Sequence, residues 1–249
     1  MHRALERIRR GVVAAAYTLL VAGLAQASPT FYTTEAAFFT ALTGPSQTLD
    51  FEGLPVGTLL PSGSVVDGIA FTYTIPGFTM QIRNDFGTTS GTHYLGVNSI
   101  DGTFLSGDSF TMTFASTVTA LGLYVIGAPG ANVAGDFELT ALGSGSVFNS
   151  STPDISLTDG DAYFLGIIDP AGFTSADMNG TTTNCDPATG CQYVWNVDDI
   201  TTAGLASVPE PSSLFLLGSG LAGLTGVARR RRGKEFRTRR EGGKPDRAR

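Results

Sequence analysis

Four acidic side chains have the types and spacing to take a metal ion. Asp50 and Glu52 lie in Leu49-Asp50-Phe51-Glu52, and Asp198 and Asp199 lie in Trp195-Asn196-Val197-Asp198-Asp199-Ile200. Side chains alternate along an extended strand, so Leu49 and Phe51 share one face and Asp50 and Glu52 the other. By the same rule Asp198 and Asp199 point to opposite faces, and only one of them joins the pair. Three converging carboxylates repel one another unless a hard cation neutralises them, and Ca²⁺ accepts such oxygen ligands, completed by carbonyls and water. The expectation is a calcium site where the first and last strands of the body meet. The alternative is four ordinary solvated acids on edge strands.

Other chemistry is sparse. Cys185 and Cys191 flank Asp186-Pro187-Ala188-Thr189-Gly190. In an exported chain this spacing predicts a local disulfide, worth about 2.4 kcal/mol in the chain-entropy account. A zinc site wants cysteines two to four residues apart and more histidine than this. His93 is the one histidine after residue 2, and no G-x-S-x-G nucleophile elbow occurs. Glu35, Glu52 and Glu138 are the glutamates of residues 28–208, and a polysaccharide hydrolase would need two carboxyls across one bond. Tyr73, Tyr94, Tyr163, Tyr193 and Trp195 are either core or a sugar-stacking face. Thr72/Thr74 and Thr111/Thr113 are isolated pairs, short of the flat array that ice binding requires. Seventeen acids and one base, Arg83, lie between residues 28 and 209, a net charge of −16. That field repels phosphate backbones and excludes nucleic acid as a partner.

The elements that must position these residues are short. Thr33 to Leu42 predicts a helix, with Thr33 or Thr34 as cap, Glu35 in the first turn and Gly44-Pro45 as the stop. Strands are predicted over Thr48–Glu52, Val65–Ile75, Thr79–Arg83, His93–Val97, Ser109–Phe114, Thr119–Ile126, Asp136–Leu142, Ala162–Ile168, Phe173–Asn179 and Tyr193–Thr201. Strands without interleaved helices predict an all-β body over residues 28–208, an antiparallel β-sandwich or jelly roll. Alternation assigns Phe110, Met112, Phe114, Leu121, Leu123 and Val125 to its core.

The two ends have a different composition. Residues 1–27 combine a basic start, an apolar run from Gly11 to Ala25, and Ala25-Gln26-Ala27, the pattern of a signal peptide cleaved between Ala27 and Ser28. A second apolar run, Leu214 to Ala228, precedes Arg229, Arg230, Arg231 and Arg232. With Ser212 and Ser213 included, residues 212–228 make a thin transmembrane helix whose arginines stay cytoplasmic. Within it Gly218-Ser219-Gly220-Leu221-Ala222-Gly223 matches G-x-G-x-x-G but lacks the strand and βαβ unit of a dinucleotide site. Small residues at this spacing suit helix packing in lipid.

Directly before that run stand Pro209, Glu210 and Pro211. Pro-Glu-Pro, a short Gly-rich apolar helix and an arginine cluster, behind a signal peptide, resemble the PEP-CTERM sorting signal over residues 209–232. The resemblance implies exosortase and the export machinery as partners. It also implies an inner-membrane precursor and delivery to the periplasm, cell surface or exopolysaccharide matrix. Members of that family end close to their arginines, whereas here a basic stretch, residues 233–249, follows as a cytoplasmic tail. More loosely, Asp50-Phe51-Glu52-Gly53-Leu54-Pro55 and Val197-Asp198-Asp199-Ile200 resemble the bounds of lectin-like bodies in such surface proteins, with first and last strands as neighbours. The expectation is a non-enzymatic protein, carbohydrate-binding or structural. The competing readings are a jelly-roll polysaccharide hydrolase or lyase and, behind it, an ice-binding protein.

Overall fold

A computed structural model describes residues 28–129, 132–181 and 193–204. The expected signal peptide with Ala27, the pair Cys185 and Cys191, the Pro-Glu-Pro motif, the expected transmembrane segment over 212–228 and the basic stretch 233–249 lie outside the described residues. Among the described residues no helix is long and apolar enough to cross a membrane.

The chain runs β1 (Thr30–Tyr32), α1 (Glu35–Ala41), β2 (Ser46–Leu49), β3 (Leu59–Leu60), β4 (Ser64–Val66), β5 (Ile69–Thr72), β6 (Met80–Arg83) and β7 (Tyr94–Val97). It continues through β8 (Phe104–Leu105), β9 (Ser109–Gly127), β10 (Phe137–Ala141), β11 (Gly145–Phe148), β12 (Ile155–Ser156), β13 (Asp161–Gly180) and β14 (Val194–Gly204). The ladders are antiparallel, as expected.

Two pairs of predicted strands are in fact single long ones. β9 spans both Ser109–Phe114 and Thr119–Ile126, and β13 spans both Ala162–Ile168 and Phe173–Asn179. Each strand belongs to two layers. The first half of β9 pairs with β5 and with the second half of β13, which carries β10 and β11. The second half of β9 pairs with the first half of β13 and with β14. Between the halves the register shifts at Ile168/Phe173, where Asp169-Pro170-Ala171-Gly172 turns the chain and Gly172 takes φ 76°. Pro170 donates nothing to a ladder, so a corner is where it fits. The predicted strand Val65–Ile75 instead folds as the β4–β5 hairpin, because Asp67 (φ 46°) and Gly68 (φ 80°) form its turn. Asp-Gly is the residue pair such a hairpin turn favours.

The layers face each other across one apolar core. Phe110 of the first layer stacks 6.2 Å from Trp195 of the second, and Phe137 lies 5.8 Å from Tyr163 and 6.2 Å from Trp195. The six alternating core positions expected on β9 are all buried there. On the outer side of the second layer Ala120, Tyr124, Ile126, Ala162 and Phe164 form a smaller cluster around Phe38 of α1. Gly122 and Gly166 are cross-strand partners beneath it. A Cβ on Gly122 would stand 2.6 Å from Phe164 Cζ and 3.0 Å from Phe38 Cε1, and one on Gly166 2.8 Å from Phe38 Cδ2. The two glycines are the seat of the helix. Thr34 is the N-cap, as expected, but its side chain makes no cap hydrogen bond, and the Glu35 amide donates to Asp154 Oδ2 at 2.9 Å.

Candidate functional site

The first and last long-range partners meet as expected. β2 pairs with β14, Leu49 opposite Ile200, and the Thr48 and Thr201 hydroxyls lie 2.8 Å apart. The four acids near this junction do not converge on an ion, and no group of three or more His, Cys, Asp or Glu among the described residues is placed to hold one. Around β2 the expected alternation holds in burial, with Leu49 and Phe51 in the core and Asp50 and Glu52 exposed, whereas on β14 it fails for a backbone reason. β2 stops at Leu49, and Phe51 then takes φ 60° and drops into the core. On β14 a register irregularity follows Asp198, and Asp199 takes φ 49°. The irregularity turns the carboxylates of both Asp198 and Asp199 toward the same segment instead of opposite faces.

That segment is the connection between β6 and β7, residues 84–93, a strap held mainly by acids. Asp198, fully buried, accepts from the Thr89 amide at 2.9 Å, the Ser90 amide at 3.3 Å and, through Oδ1, its neighbour's Asp199 amide at 2.9 Å. Asp199 accepts from the hydroxyls of Thr89 at 2.7 Å and Ser90 at 2.6 Å. Glu52 accepts from the amides of Thr92 and His93, each at 2.5 Å. A Cβ on Gly91 would stand 2.3 Å from Glu52 Oε1, and φ 57° there also favours glycine. Asp159 takes the Gly87 amide with both oxygens at 3.0 Å. At the strap's start Asp85 pairs with Arg83 and accepts from the Tyr94 hydroxyl at 2.6 Å. Asp50 is exposed and receives the Glu52 amide at 3.1 Å.

The electrostatics follow from these partners. Burial, reinforced by the charge of Asp199, pushes the Asp198 carboxyl up to about 7. The Thr92 and His93 amides hold Glu52 below the usual range. The Arg83 hydrogen bond brings Asp85 down to about 2. Burial raises Glu35, against a hydrogen bond from Tyr124.

The other candidates separate. His93 Nδ1 lies 3.4 Å from the Phe51 carbonyl and 3.9 Å from Glu52, in the strap's anchor. The three glutamates share no partner: Glu35 meets Tyr124, Glu52 the strap and Glu138 the Thr140 hydroxyl. The aromatics read as core or sugar platform are structural. Trp195 stacks on Phe104 at 4.5 Å and donates to the Leu105 carbonyl, Tyr73 donates to Asp108, and Tyr193 to the Asp136 carbonyl. Where the sandwich bends, Gln47, Asp67, Ser116, Ile69, Phe114 and Val118 help line a crevice of about 390 Å³. Sequence reasoning passed over the strap as a loop. Its signal was the density of donors in Gly87-Thr88-Thr89-Ser90-Gly91-Thr92, a match for carboxylates distant in the chain.

Comparison with known proteins adds the C-terminal end. No curated protein and no solved structure matches the chain. Residues 207–232 match the family model of the PEP-CTERM protein-sorting motif. They span Pro209, Glu210, Pro211 and the four arginines, Arg229 to Arg232. The chain therefore carries a PEP-CTERM protein-sorting motif, which marks it as an exported protein whose membrane-anchored precursor is processed by exosortase at the cell envelope.

Proposed function

We propose that the sorted product is a non-enzymatic protein of the cell surface or exopolysaccharide matrix, and that its sandwich binds carbohydrate. The sorting motif at 207–232 carries this reading. Two features of the body support it. The carboxylates nearest to one another are occupied in holding the strap, which suits a scaffold better than an acid–base pair. The crevice at the bend mixes amide, hydroxyl and carboxylate groups with Ile69, Phe114 and Val118, the combination that a sugar with polar edges and an apolar face requires.

The experiment has two arms. Intact-mass measurement of the cell-surface fraction should find a species lacking Arg229 to Arg232, and Glu210→Ala should leave the precursor in the inner membrane. A surface species ending at Arg249 would overturn the sorting role. Affinity gels cast with bacterial polysaccharides should retard the protein without release of reducing sugar. Product formation would establish a hydrolase, and free migration in every gel would leave a structural role in place of binding.

A further inference from the structure

Two carboxylate oxygens converge on one hydroxyl. Thr89 Oγ1 lies 2.9 Å from Asp198 Oδ2 and 2.7 Å from Asp199 Oδ2. A threonine hydroxyl has one proton to donate, so it satisfies one of the two acceptors. The Ser90 hydroxyl is committed to Asp199 Oδ1, and the nearby amides reach Asp198 from the strap and from Asp199. With both carboxylates ionised, the hydroxyl can turn to Asp199 while the two strap amides stay on Asp198 Oδ2, but two like charges then flank one hydroxyl in a site from which Asp198 is shut off from water. One additional proton resolves the conflict: Asp198 donates it to Thr89 Oγ1, and the Thr89 hydroxyl donates onward to Asp199.

We propose that Asp198 and Asp199 share a single proton that latches the strap onto the sheet, so that the strap is locked in acid and loosened at neutral pH. What the latch covers gives it a consequence. Phe86 of the strap, with Thr103, Asp159 and Asn196, lines a cavity of about 50 Å³. Thr103 and Asn196 are 2% and 3% exposed, and Thr103 Oγ1 and Asn196 Oδ1 have no partner among the described residues. Asn196 precedes Asp198 by two positions on the same strand, so opening the strap uncovers these polar atoms to solvent or to a hydrogen-bonding ligand.

The sign follows from linkage. The closed state holds a proton on Asp198 that the open, solvated state releases near the ordinary carboxylate value. The latch is therefore fully present below about pH 4 and lost as pH rises to about 7, at about tenfold per pH unit for one proton. Other titratable or charged groups face this region. They are Asp199 on β14, Glu35 on α1, Tyr124 on β9 with its partner Asp154, Glu52 after β2, Asp159 before β13, and Asp85 and His93 at the strap's two ends with Arg83 beside Asp85. None but Asp199 contacts both Asp198 and the shared hydroxyl.

The test is hydrogen exchange of the full chain in detergent between pH 5 and 8.5, corrected for intrinsic exchange and read on peptides covering 84–93. Strap protection should fall about tenfold per unit up to pH 7 and then level off. Asp198→Asn, which keeps a neutral donor in place, should remove the slope, and His93→Gln should retain it. A slope that survives in Asp198→Asn or disappears in His93→Gln overturns the latch, as does protection that ignores pH in the parent chain. Should Asp198→Asn not fold, carboxyl NMR of the parent decides: titration of Asp198 near neutrality supports the latch, and titration near pH 4 refutes it.

Discussion

Gly122→Ala tests how helix α1 is held. The added methyl would sit 2.6 Å from Phe164 Cζ and 3.0–3.1 Å from two atoms of the Phe38 ring, where carbon contacts normally begin near 3.5 Å. The rings must therefore retreat by about 1 Å, and neither is free to do so. Phe38 is fully buried, and Phe164 packs against both Phe38 and Tyr124 at 5.3 and 5.2 Å. Overpacking of this kind costs about 1–3 kcal/mol. Replacing glycine within a strand returns about 0.5–1 kcal/mol of that through the unfolded chain. The expected net loss is up to about 2.5 kcal/mol, a fall in Tm of up to about 10 °C for a domain of this size, with the centre of the range near 1 kcal/mol. Thermal unfolding followed by circular dichroism measures it. Phe164→Leu removes Cζ, the nearest of the clashing atoms, so the double variant should be more stable than the two single losses predict, by at least about 0.5 kcal/mol. Additive losses, or a Tm unchanged by Gly122→Ala, would refute the seat.

Two further outcomes follow from local chemistry. Peptide mapping without reductant should show Cys185 joined to Cys191 within one chain, and Cys185→Ser should lower Tm by only a few degrees, because the loop it closes is short; two free thiols in exported protein would refute the bridge. Arg83 holds the Asp85 carboxyl down to about 2, so their contribution to stability is present above about pH 4 and lost as pH falls through 2. Arg83→Gln should therefore lower Tm above pH 4 and converge with the parent near pH 2, and a gap that widens in acid would contradict the pairing.

The sequence by itself determined the sorting motif and the all-β class of this protein. The Pro-Glu-Pro motif and the apolar run closed by arginines are legible because each depends on local composition read in order. The all-β body was legible for a similar reason: period-two alternation along Phe110, Met112 and Phe114 or Leu121, Leu123 and Val125 is imposed by which face of a strand meets the core. Tertiary structure decided where the chain bends and what the acids do. Two long strands pass through both layers because the Asp169–Gly172 corner turns the ladder without ending it, and short-range pattern sees only a break. The four acids form no calcium cage because Glu52, Asp198 and Asp199 all turn to the strap: alternation held for Leu49 to Glu52 and broke at Asp199, where φ is positive. At Phe51 the positive φ goes with full burial and at Asp199 with the register irregularity in β14, neither of which a local pattern announces, unlike Asp67, whose Asp-Gly turn is legible in the sequence. Asp198 and Thr89 are 109 residues apart in sequence. Only the folded sheet sets one hydroxyl between two carboxylates.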